Sequence, residues 1–565
     1  MRCSPRAEGC AGDEVPLGRI GPRVLARFLG VAAGVLVVSG CALSPKPFTT
    51  EERWSEIQSD GEAMFADQEP VTRPLTLNEA FARALKYNLD GRVKAMEEAL
   101  SVNDLDLARY DLLPKLAIDG LGSTRNRFDA SSSESIQTRQ QSLVPSTSSD
   151  LNRFTGDLTL SWNILDFGVS YFNARQQADR VLIAQEERRK AIQALLQDVR
   201  RAYWRAAAAQ RLTNDVKAAI RAAEAALPSA RKVETEGLKS PIDSLRYQKA
   251  LLDAIRQLET NEQLLAVSKD ELASLINIPP GEPYTIAVPS EASMRVEPMK
   301  IPVGQMENTA LLLNPDIRGL SYEARISVAE TRKALLKLLP GITLSADPNV
   351  DSNSFLVHHY WVAGAAHLNG YLSNLLTAPI VIPQRENAEK LAVLKREAMN
   401  MAILAKLHIA YQQYFASIKE YNRVKQLSSV DQRLYTQIAN RTATDVQGDL
   451  ERILAQASAV DSRLRLFQSY AEAQEALGRL YATVGVDFLH EDVETLSVAA
   501  LSNAIKETSV DLSSKTNADI TRDQGAGTTS DESRNQAAPQ PAGTITYAQE
   551  DEPVSVAQFQ ELSSQ

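Results

Sequence analysis

Two hydrophobic periods divide this chain. Leu158, Leu160, Trp162 and Ile164 alternate with Thr159, Ser161 and Asn163, the period of two that marks a strand with one apolar face. Leu116 and Ile118 open a similar segment, and Ile342-Thr343-Leu344-Ser345 repeats it later. Elsewhere apolar residues recur three or four apart, as at Ala191, Leu195, Val199, Ala202 and Ala206, which predicts helix. From Tyr171 to Glu236 the only breaker is Pro228, near the end, so this helix approaches ~100 Å. A second helix is predicted to run back over 241–276. A like pair is predicted over 384–439 and 449–483.

The elements come in two copies. Residues 84–114 realign without a gap on 310–340, with Leu85 on Leu311, Asn88 on Asn314, Asp90 on Asp316, Arg92 on Arg318 and Glu97 on Glu323. Both segments end Leu-Leu-Pro, at Pro114 and Pro340. About a dozen identities in about thirty positions exceed chance and mark an internal repeat. In each copy a helix of about two dozen residues is predicted to end at the proline, which cannot continue it. Strands and the long helices follow. A Ser-, Thr- and Gln-rich loop is predicted between the first pair of strands, near 130–150. In the second copy a polar turn is predicted at Asp347–Asn353 and a strand from about Leu356 to Leu368.

These pieces constrain one another. A long helix with a narrow apolar stripe must pack beside others. Four strands cannot close a membrane barrel, whose smallest form has about eight. An open edge in lipid would leave backbone groups unpaired at several kcal/mol each. Copies must therefore pool strands, and three would supply on the order of twelve. The expected fold is mainly α with membrane β: an internally duplicated chain in a trimeric 12-stranded β-barrel, four strands per chain, continuous with a long periplasmic α-helical barrel.

Charge and the N-terminus place the chain. A net charge of −10 with no basic cluster argues against nucleic acid as a partner. Arg19, Arg23 and Arg27 precede an apolar run from Phe28 to Val38. That run is shorter than the roughly 20 residues of a membrane span and reads as a secretory signal. Its ending, Val38-Ser39-Gly40-Cys41, resembles a lipobox, which implies cleavage before Cys41 and lipidation there. Ala42 follows, rather than the Asp that retains lipoproteins in the inner membrane, so outer-membrane sorting is expected. Cys3 and Cys10 fall before the cleavage point, and one remaining cysteine builds neither a disulfide framework nor a thiolate metal site. The expected organisation is a signal peptide (1–40), a lipidated linker (41–74), a first repeat (75–283), an equatorial linker (284–304), a second repeat (305–490) and a largely disordered tail (491–565).

Several stretches resemble motifs of the TolC-like outer-membrane factor family, also described as outer membrane efflux proteins. Leu75-Thr76-Leu77-Asn78-Glu79-Ala80 resembles the start of its first helix and Leu112-Leu113-Pro114-Lys115-Leu116 its helix-to-strand junction. Leu158 to Gly168 is similar to its strand-to-helix segment, and Gly237-Leu238-Lys239-Ser240-Pro241-Ile242-Asp243 to the turn at the periplasmic tip. Leu275-Ile276-Asn277-Ile278-Pro279-Pro280-Gly281 resembles the end of its first half. The resemblance covers about 75–490. It implies a homotrimer in outer-membrane lipid that passively conducts substrates from an inner-membrane pump and its periplasmic adaptor (membrane fusion protein). The lipoprotein start resembles the branch that serves resistance-nodulation-division pumps. A type I secretion or polysaccharide-export duct is the alternative within transport, and a non-pore periplasmic coiled-coil scaffold the alternative outside it.

The resemblance also nominates residues. Asp449 sits where the family places an aspartate of its closing ring, Asp445 lies just before it, and Arg452 replaces the second acidic position. A carboxylate ring at a constriction would attract cations, and Arg452 would pair with neighbouring carboxylates to hold the tip shut. A helix N-cap explains Asp243 and Asp449 equally well. Gly237 and Leu238, with Asp243, are expected at the adaptor-contacting tip, although a plain turn explains the glycine nearly as well. Trp162 and Trp361 are expected in the interface aromatic belt. At the second strand-to-helix junction, Pro379 and Pro383 are expected to make the turn that glycine makes in the first. His358, His359 and His367 do not suit a metal site, since strand neighbours point apart, and His408 and His490 are isolated. No nucleophile elbow, phosphate loop or zinc-helix motif is present, so no catalytic residue, metal or cofactor is expected.

Overall fold

The structure is a computed structural model that describes residues 45–514 apart from 238–239, 292, 297, 300, 442–445, 487–492 and 494. It divides into two units, residues 1–66 and 67–565. The first contains α1 (Thr50–Met64), opened by a reciprocal capping box between Thr49 and Glu52.

The second unit runs the same order of elements twice. The first pass is α2 (Leu77–Tyr87), α3 (Leu89–Tyr110), β1 (Lys115–Thr124), a short ribbon of β2 (Ala130–Ser131) and β3 (Ser146–Thr147), β4 (Asn152–Asn163), α4 (Ile164–Thr235) and α5 (Pro241–Leu275). The second pass is α6 (Val303–Leu313), α7 (Pro315–Leu336), β5 (Gly341–Asp351), β6 (Tyr360–Asn369), α8 (Leu372–Arg441) and α9 (Val446–Val484), followed by α10 (Val498–Ser514).

One asparagine in each copy explains why these pieces meet as they do. Asn88 separates α2 from α3, and its Oδ1 accepts the Gly91 N–H at 3.0 Å, capping α3. Its Nδ2 donates to the Leu275 carbonyl at the end of α5, 3.1 Å away. Asn314 does the same between α6 and α7. It accepts from Asp316 N at 3.0 Å and donates to the Thr483 carbonyl at the end of α9, also at 3.0 Å. Each return helix then closes with a left-handed residue, Asn277 (φ 56°) or Gly485 (φ 82°). The next amide, Ile278 or Val486, bonds back to Ala273 or Tyr481. This is the Schellman arrangement that satisfies orphan carbonyls at a helix end.

The four main strands form one antiparallel sheet in the order β1-β4-β5-β6, which leaves β1 and β6 as edges. The largest core lies where α4, α5 and α9 pack with α2 and α10. It includes Tyr203, Leu212, Leu272, Ile276 and Phe467. Ala206 to Ala209, all buried, carry so little side chain that helices approach closely there.

Four expectations change. The helix after β4 starts at Ile164, because Asn163 Oδ1 caps it by accepting from Leu165 N and Asp166 N. Asp347–Asn353 is not a turn: Asp347, Asn349 and Asp351 alternate with Ala346, Pro348 and Val350 as one face of β5, which runs to Asp351. Pro379 and Pro383 make no turn either. They lie inside α8, four residues apart and exposed, so their missing amide donors fall on one exposed face and the helix continues. Residues 498–514, expected in the tail, form α10, whose Val498, Leu501 and Ile505 are buried in the main core.

Candidate functional site

The sheet is two-faced. Directly paired residues share a face, so the register puts Leu116 and Ile118 of β1 beside Leu160 and Leu158 of β4, then Leu344 and Ala346 of β5, then Ala366 and Gly364 of β6. This apolar face is exposed, with Ile118 at 85%. The other face carries Asp119 directly opposite Asp157, then Asn349, with Thr343 and Ser345 farther along. It is polar and acidic, and such a wall attracts cations.

At one end the strands run into the helices. Asn163 Nδ2 donates to Thr343 Oγ1 at 3.0 Å, tying the two copies together where α4 begins. A side chain on Gly370 would come within 2.9 Å of Pro340 Cβ, so this crossing requires glycine. At the other end the connecting loops are tied to each other. Arg153 grips both oxygens of the buried Asp351 carboxylate. Asp150 accepts from Ser354 N at 2.6 Å and Ser354 Oγ at 2.8 Å, and Asn353 Nδ2 donates to Ser148 O at 2.8 Å.

Trp162 lies on the apolar face near the helical end of β4, with its ring edge-on to Phe167 at 5.7 Å. Trp361 was expected to match it and does not: it pairs with Asn349 and so lies on the polar face. Tyr360, paired with Val350, holds the apolar face at that far end. Sequence alone could not choose between these neighbours, because the alternation of β6 is blurred by alanine and glycine.

Around the main core, side chains clamp the two termini of the unit. Leu75 forms a single parallel bridge with Ile286, and the Tyr203 hydroxyl reaches the Leu75 and Ala287 carbonyls at 3.2 and 2.9 Å. Glu69 accepts from Val498 N, the first residue of α10, at 3.0 Å and pairs with Lys86 at 3.1 Å. Partial burial pushes the Glu69 carboxyl up, but the Val498 amide and Lys86 outweigh it, and its pKa falls below the ordinary value. None of these clamp residues was anticipated. Most of their partners lie far along the chain, 84 residues from Tyr203 to Ala287 and 429 from Glu69 to Val498.

The tip residues are placed as follows. Gly237 has φ 64° with open space about it, just past α4. Pro241 opens α5 with Ser240 as its N-cap, so Asp243 stands in the first turn, exposed, with Arg246 at 3.8 Å. Asp449 is the fourth residue of α9, past the cap position, and Arg452 follows half-buried. Cys41, Leu238, Asp445 and His490, and the side chain of Asp449, lie outside the described residues. His367 pairs with Thr343 on the polar face, His359 Nδ1 lies 3.2 Å from Asp351 O, and His408 Nε2 meets Glu307 at 2.7 Å. His358 precedes β6. Among the described residues no helix is long and apolar enough to cross a membrane, and no group of His, Cys, Asp or Glu is placed to hold a metal.

Residues 82–277 match the family model described as outer membrane efflux protein. Among solved structures, the CmeC outer membrane channel of Campylobacter jejuni is 14% identical, with a TM-score of 0.57 over 79% of this chain and 93% of that one. The open state of the MtrE outer membrane channel of Neisseria gonorrhoeae is 17% identical, with a TM-score of 0.56 over 72% of this chain and 88% of that one. The outer membrane protein VceC of Vibrio cholerae is 16% identical, with a TM-score of 0.53 over 72% and 96%. At such identities the structural likeness is one of fold. The family model thus matches the first repeat, and the chain as a whole shares the fold of these outer membrane channels.

Proposed function

We propose that this chain is the outer-membrane channel of a tripartite efflux system, lipidated at Cys41, which trimerises and passively conducts substrates delivered by a periplasmic adaptor and an inner-membrane pump. The observation that carries the reading is the sheet. It has an exposed apolar face, a polar acidic face and two free edges. In lipid those edges cost several kcal/mol per unpaired group unless other copies close them. Three copies would supply on the order of twelve strands around a wet lumen. The apolar face argues against a non-pore scaffold, which would expose it to water.

In this reading Trp162 and Tyr360 mark the two lipid interfaces, Gly237, Leu238 and Asp243 form the adaptor-facing tip, and Asp449 with Asp445 and Arg452 lines the periplasmic constriction. The test is reconstitution. Outer-membrane fractions should contain heat-modifiable trimers that conduct ions, with a preference for cations, in planar bilayers. Asp449→Ala should raise the conductance of the closed trimer. A non-conducting monomer overturns the channel; unchanged conductance in the variant removes only Asp449 from the gate.

A further inference from the structure

The two copies treat one cation differently. The repeat that sets Ala84 on Ala310 also sets Phe81 of α2 on Glu307 of α6. Aligning the starts of the long helices, Ile164 of α4 on Leu372 of α8, sets Ala202-Tyr203 on Ala410-Tyr411 and Arg200 on His408. The twins meet in space as well. His408 Nε2 lies 2.7 Å from Glu307 Oε1, and the Arg200 guanidinium carbon lies over the Phe81 ring, 5.3 Å from its centre. The second copy thus sets an imidazole on a carboxylate. The first sets a permanent cation on a phenyl ring.

That ring is only half a partner. An aromatic face attracts the flat side of a guanidinium, whereas the five N–H groups point outward in its plane. Arg200 Nε is buried and has no hydrogen-bond partner. Burial pushes the Arg200 pKa down, and only the Tyr481 and Tyr470 hydroxyls push it back. Among the described residues no carboxylate forms an ion pair with it. A charge buried without a counter-charge is strongly destabilising, so the chain alone leaves this site unbalanced.

The space beside the guanidinium is small and defined. A cavity of about 20 Å³ is lined by Arg200, Gln193, Leu196, Gln197, Gly478, Ala482 and Val486. That volume takes one water-sized occupant and is too small for phosphate or acetate. Gln193 Nε2 donates to the Val486 carbonyl at 3.2 Å and so fixes one wall. Gly478 of α9 keeps another wall open. A Cβ there would lie 3.5 Å from Arg200 Nε and 3.7 Å from Gln197 Cγ, in ordinary contact with both.

We propose that this cavity binds one chloride ion on the Arg200 guanidinium, and that the ion does in the first copy what Glu307 does in the second. A monatomic anion is the one counter-charge from solution that fits. It satisfies in-plane N–H groups that the Phe81 face cannot reach, and it ties α4 to α9 beside α2. The site stands on the helical part of the chain and is independent of the channel reading.

Full-length protein in detergent should unfold roughly fivefold more slowly in sodium chloride, at four times the dissociation constant, than in sodium gluconate of equal ionic strength. Two variants separate the ion from general salt effects. Arg200→Met removes the charge. Gly478→Ala fills the cavity, leaves the charge in place and suits a helix. Each should unfold at one rate in both salts. Crystals soaked in sodium bromide should show an anomalous peak beside Arg200 in wild type and none in Gly478→Ala. Equal wild-type rates in the two salts, a chloride effect that survives in Gly478→Ala, or water without bromide beside Arg200 overturns the proposal.

Discussion

The twin asparagines offer a direct test of how each repeat is held together. Asn88 and Asn314 are 6% and 4% exposed, and each works with both ends of its amide. Replacing Asn314 by Ala removes an N-cap, about 1 kcal/mol. It also removes the donor to the Thr483 carbonyl, leaving a buried acceptor unpaired at about 1–3 kcal/mol. The expected cost is roughly 2–4 kcal/mol, and Asn88→Ala should cost about the same. The twins share no hydrogen-bond partner, so the double variant should be additive to within about 0.5 kcal/mol. Asp separates the two roles. Asn314→Asp keeps the cap and gains about 0.3–1 kcal/mol from the helix N-terminus, but turns an acceptor toward a carbonyl at about 1–3 kcal/mol, so it should still destabilise at neutral pH. Protonation restores a donor. The folded-state pKa of that Asp is then raised, and the variant should recover as pH falls through it. Unfolding rates in detergent, followed by circular dichroism across pH, read this out, since so long a chain need not unfold in two states. An Asp variant as stable as wild type at pH 7, or one that does not recover on acidification, would refute the assignment.

Gly485→Ala should be the most damaging glycine substitution at a helix end. Beyond the left-handed penalty, its Cβ would sit 2.6 Å from the Leu313 carbonyl carbon, for a cost of about 2–5 kcal/mol in chemical denaturation. Gly237→Ala, with similar φ and open space, should cost only about 1–2 kcal/mol; equal effects would sink the steric argument. Glu69 should make α10 acid-sensitive. Because its folded pKa is lowered, the tie is fully present above the ordinary value of 4.5 and is lost as pH falls through the lower folded value. Amide protection factors at Leu501 and Ile505, taken against the intrinsic rate at each pH, should therefore fall on acidification in wild type, and much less so in Glu69→Gln. Arg153→Ala strands the buried Asp351 carboxylate and should expose the loop near 130–150 to protease, whereas no change in cleavage would show that the other loop ties suffice.

How much of this was legible depended on range. The alternation at Leu158–Ile164 gave the strand and its apolar face because period two is written in adjacent residues. The repeat was legible too, and Asn88 and Asn314 were among its identities. Their role was not, since the carbonyl that each serves lies 187 or 169 residues away. The Glu69–Val498 tie spans 429 residues, and so a stretch assigned to the tail turned out to hold a packed helix. Local rules failed where geometry relocated their consequences. Proline stops a helix when its lost bond has no outlet, but Pro379 and Pro383 share an exposed face. Trp361 was assigned by residue type, and only the cross-strand register shows that Tyr360 holds the apolar position.

The sheet joins these observations into one constraint. β1 leaves the helical end and β6 returns to it, so the two free edges run in opposite directions. When a second copy is set beside the first, β6 and the next β1 meet antiparallel, as every pair inside the chain already does. Closing the ring needs no new kind of contact. It needs the apolar face to remain outward across the junction, which the shared register of Leu116 and Ile118 with Leu160 and Leu158 provides at the β1 side. A one-residue slip at that junction would turn Asp119 toward lipid. In the proposed barrel the strand register therefore does more to choose the lumen's polarity than any single charged residue within it.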